Sequence, residues 1–308
     1  MSDARPAPGN EAVHSYAAYG VRIDSYLPLQ PLIAATDGDA TVRVRPAVLD
    51  ALPFEPRPGF QTHIAPGEIW IRHSHVGAFV AREGREILVH ALPGVEERVV
   101  RSYIVKAALA AVLLQQGKLI LHSSGVAIAG GAAAFVGASG MGKSTTSAAL
   151  HARGHRLLAD DLLGVDVRAA TGPMALPAFP QVLLLPESAA AVGRDPDTLA
   201  RSSPHSDKFS VDAPHGFSPE PVPLRRVYAL ADAERDEIAP LGVHDSVATL
   251  IAHTFGLFAF RQGSQPAHFF LCAELVRRVP VRRLARARRL SALSDLARLI
   301  EDDLASAE

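Results

Sequence analysis

The sequence predicts an α/β protein, a mixed sheet with flanking helices, preceded by a small and mainly β domain, and three observations predict it. A glycine-rich loop, Gly137-Ala138-Ser139-Gly140-Met141-Gly142-Lys143-Ser144, stands between an apolar strand and a helical pattern. Before residue 96 the chain is a series of short runs rich in β-branched and aromatic residues, broken by Pro and Gly. Between these regions Val99, Val100, Tyr103, Ile104, Ala107, Ala108, Ala111, Val112 and Leu114 recur at helical spacing, with Gly117 as the stop.

The first domain, residues 14–96, holds runs such as Thr41-Val42-Arg43-Val44, Glu68-Ile69-Trp70-Ile71 and Glu86-Ile87-Leu88-Val89, and a tail without periodicity, residues 1–13, comes before it. The larger domain, 97–308, opens with the amphipathic helix. Leu119 to Ala138 is apolar, but His122, Ser123 and Ser124 interrupt it and Ala129-Gly130-Gly131 reads as a turn, so two buried strands are expected there and no membrane span. Lys143 to Arg153 reads as a helix closed by Gly154, and Arg156 to Ala159 as the next strand. Loops are expected to dominate 171–223, which is dense in Pro, Ser, Asp and His. A strand at Val227 to Leu230, a helix near Val243 to Phe255, a basic segment from Arg277 to Arg289 and a helix carrying Leu293, Leu296, Ile300 and Leu304 complete the chain.

Composition narrows the function classes. With 308 residues, 48% hydrophobic, the chain can bury one large core or two modest ones. A formal net charge of -1 gives no bulk attraction to nucleic acid or to an anionic membrane, so any phosphate affinity has to be local, and neither is expected as a partner. The single cysteine, Cys272, has no partner for an internal disulfide, and the first 30 residues lack a basic start followed by an apolar run, which makes the cytoplasm the expected compartment. Self-association stays open.

The loop matches G-x-x-x-x-G-K-[ST]. Its glycines let consecutive backbone N–H groups curl around an anion, and the following helix turns its positive end toward the same point. Gly137, Ala138, Ser139, Gly140, Met141, Gly142, Lys143, Ser144 and Thr145 are therefore the expected nucleotide-binding set, with ATP as ligand. Lys143 reaches the β- and γ-phosphates as a point charge, and the Ser144 hydroxyl ligates Mg2+. The loop is not G-x-G-x-x-G, which disfavours a dinucleotide site.

Asp160 and Asp161 end an apolar strand, and ligands of open α/β sheets sit at the carboxyl ends of strands. One of the pair is suited to the metal and the other to a nucleophile; a helix cap or a solvated turn is the competing reading. Adjacent carboxylates on a strand point to opposite faces unless the strand ends there, so identical roles are not expected. His122 closes a strand directed at the same sheet end, where a satisfied edge histidine and a catalytic one read alike. Lys208 and Arg225 are further cations that would steady charge on a transferring phosphate, against a plain solvated role. The seven arginines from Arg277 to Arg289 read as a solvated basic helix face ahead of a site for an acidic peptide or nucleic acid, and the lack of interleaved aromatic residues weighs against nucleic acid. His73 with His75, and His151 with His155, have spacings a metal uses but no Cys nearby.

Leu121-His122, the loop, and Arg153-Gly154-His155-Arg156-Leu157-Leu158-Ala159-Asp160-Asp161 together resemble the catalytic core of the HPr kinase/phosphorylase family, bacterial serine kinases built on a phosphate loop. The resemblance implies a P-loop kinase domain of HPr kinase type using ATP and Mg2+. It implies Asp161 as the base for a substrate serine hydroxyl, Asp160 in support of the metal and His122 orienting the reacting groups. The family's E-x-R-G segment is absent, and Pro180 to Glu187 stands in that region, so the implied activity is that of a kinase without the reverse reaction. The N-terminal half, with Tyr16-Ala17-Ala18-Tyr19-Gly20-Val21 and Ser25-Tyr26-Leu27-Pro28-Leu29, is similar to shorter HPr-kinase-related proteins, among them kinases of lasso-peptide precursors. The implied acceptor is a serine of a peptide or small protein, with a small-molecule kinase or a nucleotide-gated switch as the alternatives.

Overall fold

The computed structural model describes residues 5–6, 13–35, 38–49, 51–202, 206–255 and 266–306. The chain divides into two compact units between Lys118 and Leu119. Most of the expected tail, 1–13, lies outside the described residues. Among the described residues no helix is long and apolar enough to cross a membrane.

The first unit is a mainly antiparallel sheet of β1 (His14–Ala18), β2 (Val21–Ser25), β3 (Val42–Val48), β4 (Phe60–Ala65), β5 (Glu68–His73), β6 (Gly77–Arg82) and β7 (Glu86–Ala91). These strands lie in the order β1-β2-β3-β7-β6-β5-β4. The alternation in β3 buries Val42 and Val44 and exposes Arg43 and Arg45, which the two-residue period of a half-covered strand requires. Trp70 is fully buried against Ala47, Val80 and Leu88, with Leu52 and Phe54 closing over it.

The predicted helix is α1 (Glu97–Tyr103), a π-helical turn (Ile104–Ala108) and α2 (Leu109–Gln115). It belongs to the β-rich unit, so the division falls after it and not before it, as the sequence had suggested. The reason is burial: Leu109 to Leu114 are all covered, and the Gln115 amide donates to Gly67 O and Ala81 O at 2.9 and 3.1 Å. Gly117, at φ 75°, turns the chain out of the helix in the left-handed region where glycine carries no steric cost.

The second unit is built on a mixed sheet. Three strands occupy the apolar stretch expected to hold two: β8 (Leu119–Leu121), β9 (Ser123–Ile128) and β10 (Gly131–Val136). The glycine-rich loop leads from β10 to α3 (Lys143–Ala152), followed by β11 (Arg156–Ala159), β12 (Leu163–Asp166) and β13 (Met174–Leu176). The region 171–223 is less loop-like than composition suggested, with β14 (Gln181–Leu184), α4 (Pro186–Ala191) and β15 (Phe209–Asp212). Then come β16 (Val222–Asp232), β17 (Glu237–Pro240), α5 (Val243–Ala252), α6 (Pro266–Arg278), β18 (Val281–Arg286) and α7 (Leu293–Ala305). The basic segment is thus not one helix face. Pro280 ends α6, and the remaining arginines lie on a strand and the loop after it.

Pairing sets the direction of the site. β10 is parallel to β16, β16 is parallel to β18, and β9 runs antiparallel to both β10 and β11. The carboxyl ends of β11, β10, β16 and β18 therefore share one edge. Every residue of β10, Gly-Ala-Ala-Ala-Phe-Val, is buried. Alanine is a poor strand former, but burial on both faces overrides that preference and lets α3 approach closely.

α7 is fixed by a buried charge. Asp303 accepts from Tyr228 Oη at 2.7 Å and from Arg226 Nε at 3.4 Å, and it also pairs with Arg282. Its side chain is only 8% exposed. Burial and the neighbouring carboxylate push the Tyr228 phenol far above its ordinary value. Asp303→Ala is expected to cost about 3 kcal/mol, because it strands a buried guanidinium and hydroxyl. Urea unfolding at pH 7 measures it, and a loss below about 1 kcal/mol would show that the pairing contributes little.

Candidate active site

The loop ends in a helix whose N-terminus no side chain caps. Gly142 stands at the cap position with φ 79°, and the first turn of α3 carries no acidic residue. Its leading N–H groups and positive dipole end are therefore left without a side-chain cap, an arrangement suited to an anion. Gly140, at φ 77°, adopts the same left-handed conformation, which shapes the loop into a cradle of amides. Lys143 lies over this cradle, its Nζ donating to Gly137 O at 2.8 Å and to Ala138 O at 3.2 Å. Burial pulls its pKa down, Lys208 adds to the fall, and Asp160 and Asp161 oppose it.

The two aspartates follow the end of β11 and diverge in environment. Asp160 is 4% exposed, and its Oδ2 accepts the Leu183 N–H at 2.9 Å, which ties β14 to the site. Burial pushes its carboxyl above the ordinary range, while Leu183 N–H and the Ser144 hydroxyl favour its charged form. Oδ1 makes no well-formed hydrogen bond to any described residue. A buried carboxylate oxygen without a donor, beside the hydroxyl that follows the loop lysine, is the donor set a hard divalent cation takes in phosphate loops, so Ser144 and Asp160 fit Mg2+. Among the described residues no group of three or more His, Cys, Asp and Glu side chains is arranged to hold a metal ion.

Asp161 turns out of the strand with φ 75°, a left-handed conformation that aspartate tolerates better than most residues. That turn is why adjacent carboxylates line one cavity and do not alternate across the sheet. The imidazole of His122 meets it, Nδ1 donating to Asp161 O at 2.7 Å and lying 3.3 Å from Oδ1. A carbonyl only accepts, so Nδ1 carries the proton. His122 occupies the break between β8 and β9, and its own N–H donates to His253 O at 2.7 Å. The segment after α5 thus holds it in place. Burial, Lys143 and His122 together depress the His253 pKa.

A cavity of about 440 Å³ joins these groups, a size ordinary for a small-molecule site. Of the predicted residues, Ser139, Gly140, Gly142 to Thr145, Asp160, Asp161, His122 and Lys208 all line it. Gly137, Ala138 and Met141 shape the loop behind it. Arg225 is not brought in: it sits near the start of β16, over Gly131 at the opening of β10, at the opposite end of the sheet. Sequence reading missed Glu187 and, from the far end of the chain, Arg286, Arg288 and Arg289, which also line the cavity. The carboxyl-end rule would have found Arg286 had Val281–Arg286 been read as a strand. The histidine pairs make local hydrogen bonds, as when His151 Nδ1 meets His155 O at 2.9 Å and His155 Nε2 meets Glu301 at 2.7 Å.

No protein-family model matches the chain, and no curated protein matches it in sequence. Among solved structures it is similar to the Hpr(Ser) kinase/phosphatase from Coxiella burnetii, at 12% identity and a TM-score of 0.35, over 61% of this chain and 97% of that chain.

Proposed function

We propose that the chain is a Mg2+- and ATP-dependent kinase that transfers the γ-phosphoryl group to a serine hydroxyl of a peptide or small protein. The observation that carries this reading is the convergence in one cavity of the uncapped start of α3, with Lys143 and Ser144, and of Asp161 held by His122. A phosphate site alone serves many proteins; a phosphate site facing an oriented and accessible carboxylate serves transfer to a hydroxyl.

The amides of Gly140 and Gly142 and the ammonium of Lys143 hold the β- and γ-phosphates. Ser144 and Asp160 would hold Mg2+, which supplies positive charge against the phosphate oxygens. Asp161 accepts the proton of the incoming hydroxyl as its oxygen forms the new bond to the γ-phosphorus, while the bond to the bridging oxygen of ADP breaks. His122 keeps the Asp161 backbone and carboxylate in position. Asp160, buried and tied to Leu183, is poorly suited to take that proton, whereas Asp161 is reachable from the cavity. Lys208 stands on the cavity wall close enough to influence Lys143 and Asp160, and suits the developing charge on the transferred group.

The acceptor is tested by incubating the protein with Mg-ATP and either serine-bearing peptides, including short biosynthetic precursors, or a panel of hydroxylated metabolites. The expected result is a gain of roughly 80 Da, one phosphoryl group, on the peptide at serine. A gain confined to metabolites would overturn the acceptor class. ATP binding with no transfer to either would favour a nucleotide-gated switch.

A further inference from the structure

The guanidinium of Arg286 reaches the glycine-rich loop from the last residue of β18. It donates to Met141 O through Nη2, and it fills the space a Cβ on Gly142 would need. Arg286 is only 6% exposed, and its Nε has no partner among the described residues. A buried cation with an unmet donor is costly, and a merely structural contact at a loop carbonyl would be made as well by a neutral amide. Its backbone is gripped on both sides, for Arg286 O accepts the Ala233 N–H at 2.9 Å and the next N–H donates to Asp236 Oδ1 at 2.8 Å. The next-but-one residue, Arg288, pairs with Asp232 at 2.6 Å and lies 3.0 Å from Met141 Sδ.

A trans peptide plane points its C=O and the following N–H in opposite directions. Capturing Met141 O therefore aims the Gly142 N–H the other way, away from Arg286. We propose that Arg286 is a positioning residue for polyphosphate, setting the Met141–Gly142 peptide so that its N–H faces the phosphates and adding a fixed positive charge beside the loop. This rests on the nucleotide-kinase reading of the same cavity. It also explains why Gly142 has to be glycine on two counts, its φ and the guanidinium beside it. The role belongs to Arg286 more than to Arg288, whose exposed head is screened by solvent.

The test compares wild type, Arg286→Met, Arg286→Lys and Arg225→Ala by calorimetric titration with ADP and with Mg-ATP, alongside steady-state kinetics and melting of the nucleotide-free proteins. Loss of a charged hydrogen bond predicts about 30-fold weaker binding of both nucleotides to Arg286→Met. Arg286→Lys, which keeps the charge without the fork, is expected to fall between, with KM rising more than kcat drops, and Arg225→Ala to match wild type. Should Arg286→Met fail to fold, Arg286→Lys decides alone: a loss of fivefold or more supports the role and wild-type affinity overturns it. Folded Arg286→Met with wild-type affinity overturns the positioning role while leaving the kinase reading intact. A wild-type protein that binds neither nucleotide overturns both.

Discussion

Asp161→Asn is expected to lower phosphoryl transfer by about 10³-fold while Mg-ATP affinity stays within about threefold of wild type. Asparagine suits this test because it tolerates the left-handed backbone at φ 75° nearly as well as aspartate, so the turn out of β11 survives. The bond from His122 Nδ1 to the residue 161 carbonyl also survives, since it involves the backbone. What disappears is the carboxylate oxygen proposed to take the hydroxyl proton. Single-turnover transfer and nucleotide titration separate the two quantities. Transfer by Asp161→Asn within tenfold of wild type would remove Asp161 as the base. An alanine at the same position would add backbone strain and confuse the outcome.

Lys143→Met is expected to reduce transfer by about 10³-fold or more, with nucleotide affinity falling too, because in the proposed mechanism the lysine holds the phosphates in the ground state and in the transition state. The melting temperature without nucleotide should hold or rise slightly. Burial lowers the Lys143 pKa in the folded protein, so at neutral pH the charged form opposes folding, and this penalty lasts until pH passes the unfolded value. Methionine keeps much of the stem and removes the charge, an exchange of function for stability common at active sites. A Lys143→Met protein that keeps transfer within tenfold of wild type would refute the phosphate role. A large drop in melting temperature would mean that the bonds to Gly137 O and Ala138 O matter more for folding than for ligand.

What was legible in the sequence is what short-range chemistry encodes. The loop and α3 could be read because glycine spacing and helical period act within a few residues of each other, and β11 with its two aspartates follows directly. The V-R-V-R of β3 and the helical repeat before Gly117 were readable for the same reason. The break at His122 was harder. The polar His122-Ser123-Ser124 interrupts the apolar run but carries no mark of where one strand pairs with β12 and the next with β10, and only that change of partner makes three strands out of 119–136.

The arginines divide the two kinds of information most clearly. Arg225 and Arg286 are both cations on strands parallel to β10, and nothing local distinguishes them. Arg225 enters its strand at the amino end and packs over Gly131; Arg286 leaves its strand at the carboxyl end and meets Met141. By itself the sequence determined the α/β class, the glycine-rich loop with its helix, and the acid pair that faces it, because each rests on contiguous backbone preference and side-chain period. Tertiary structure alone decided that Asp160 is buried and Asp161 reachable, that the helix at 97–115 joins the β-rich unit, and that Arg286 completes the loop, because strand direction and burial are settled by residues far apart in the chain.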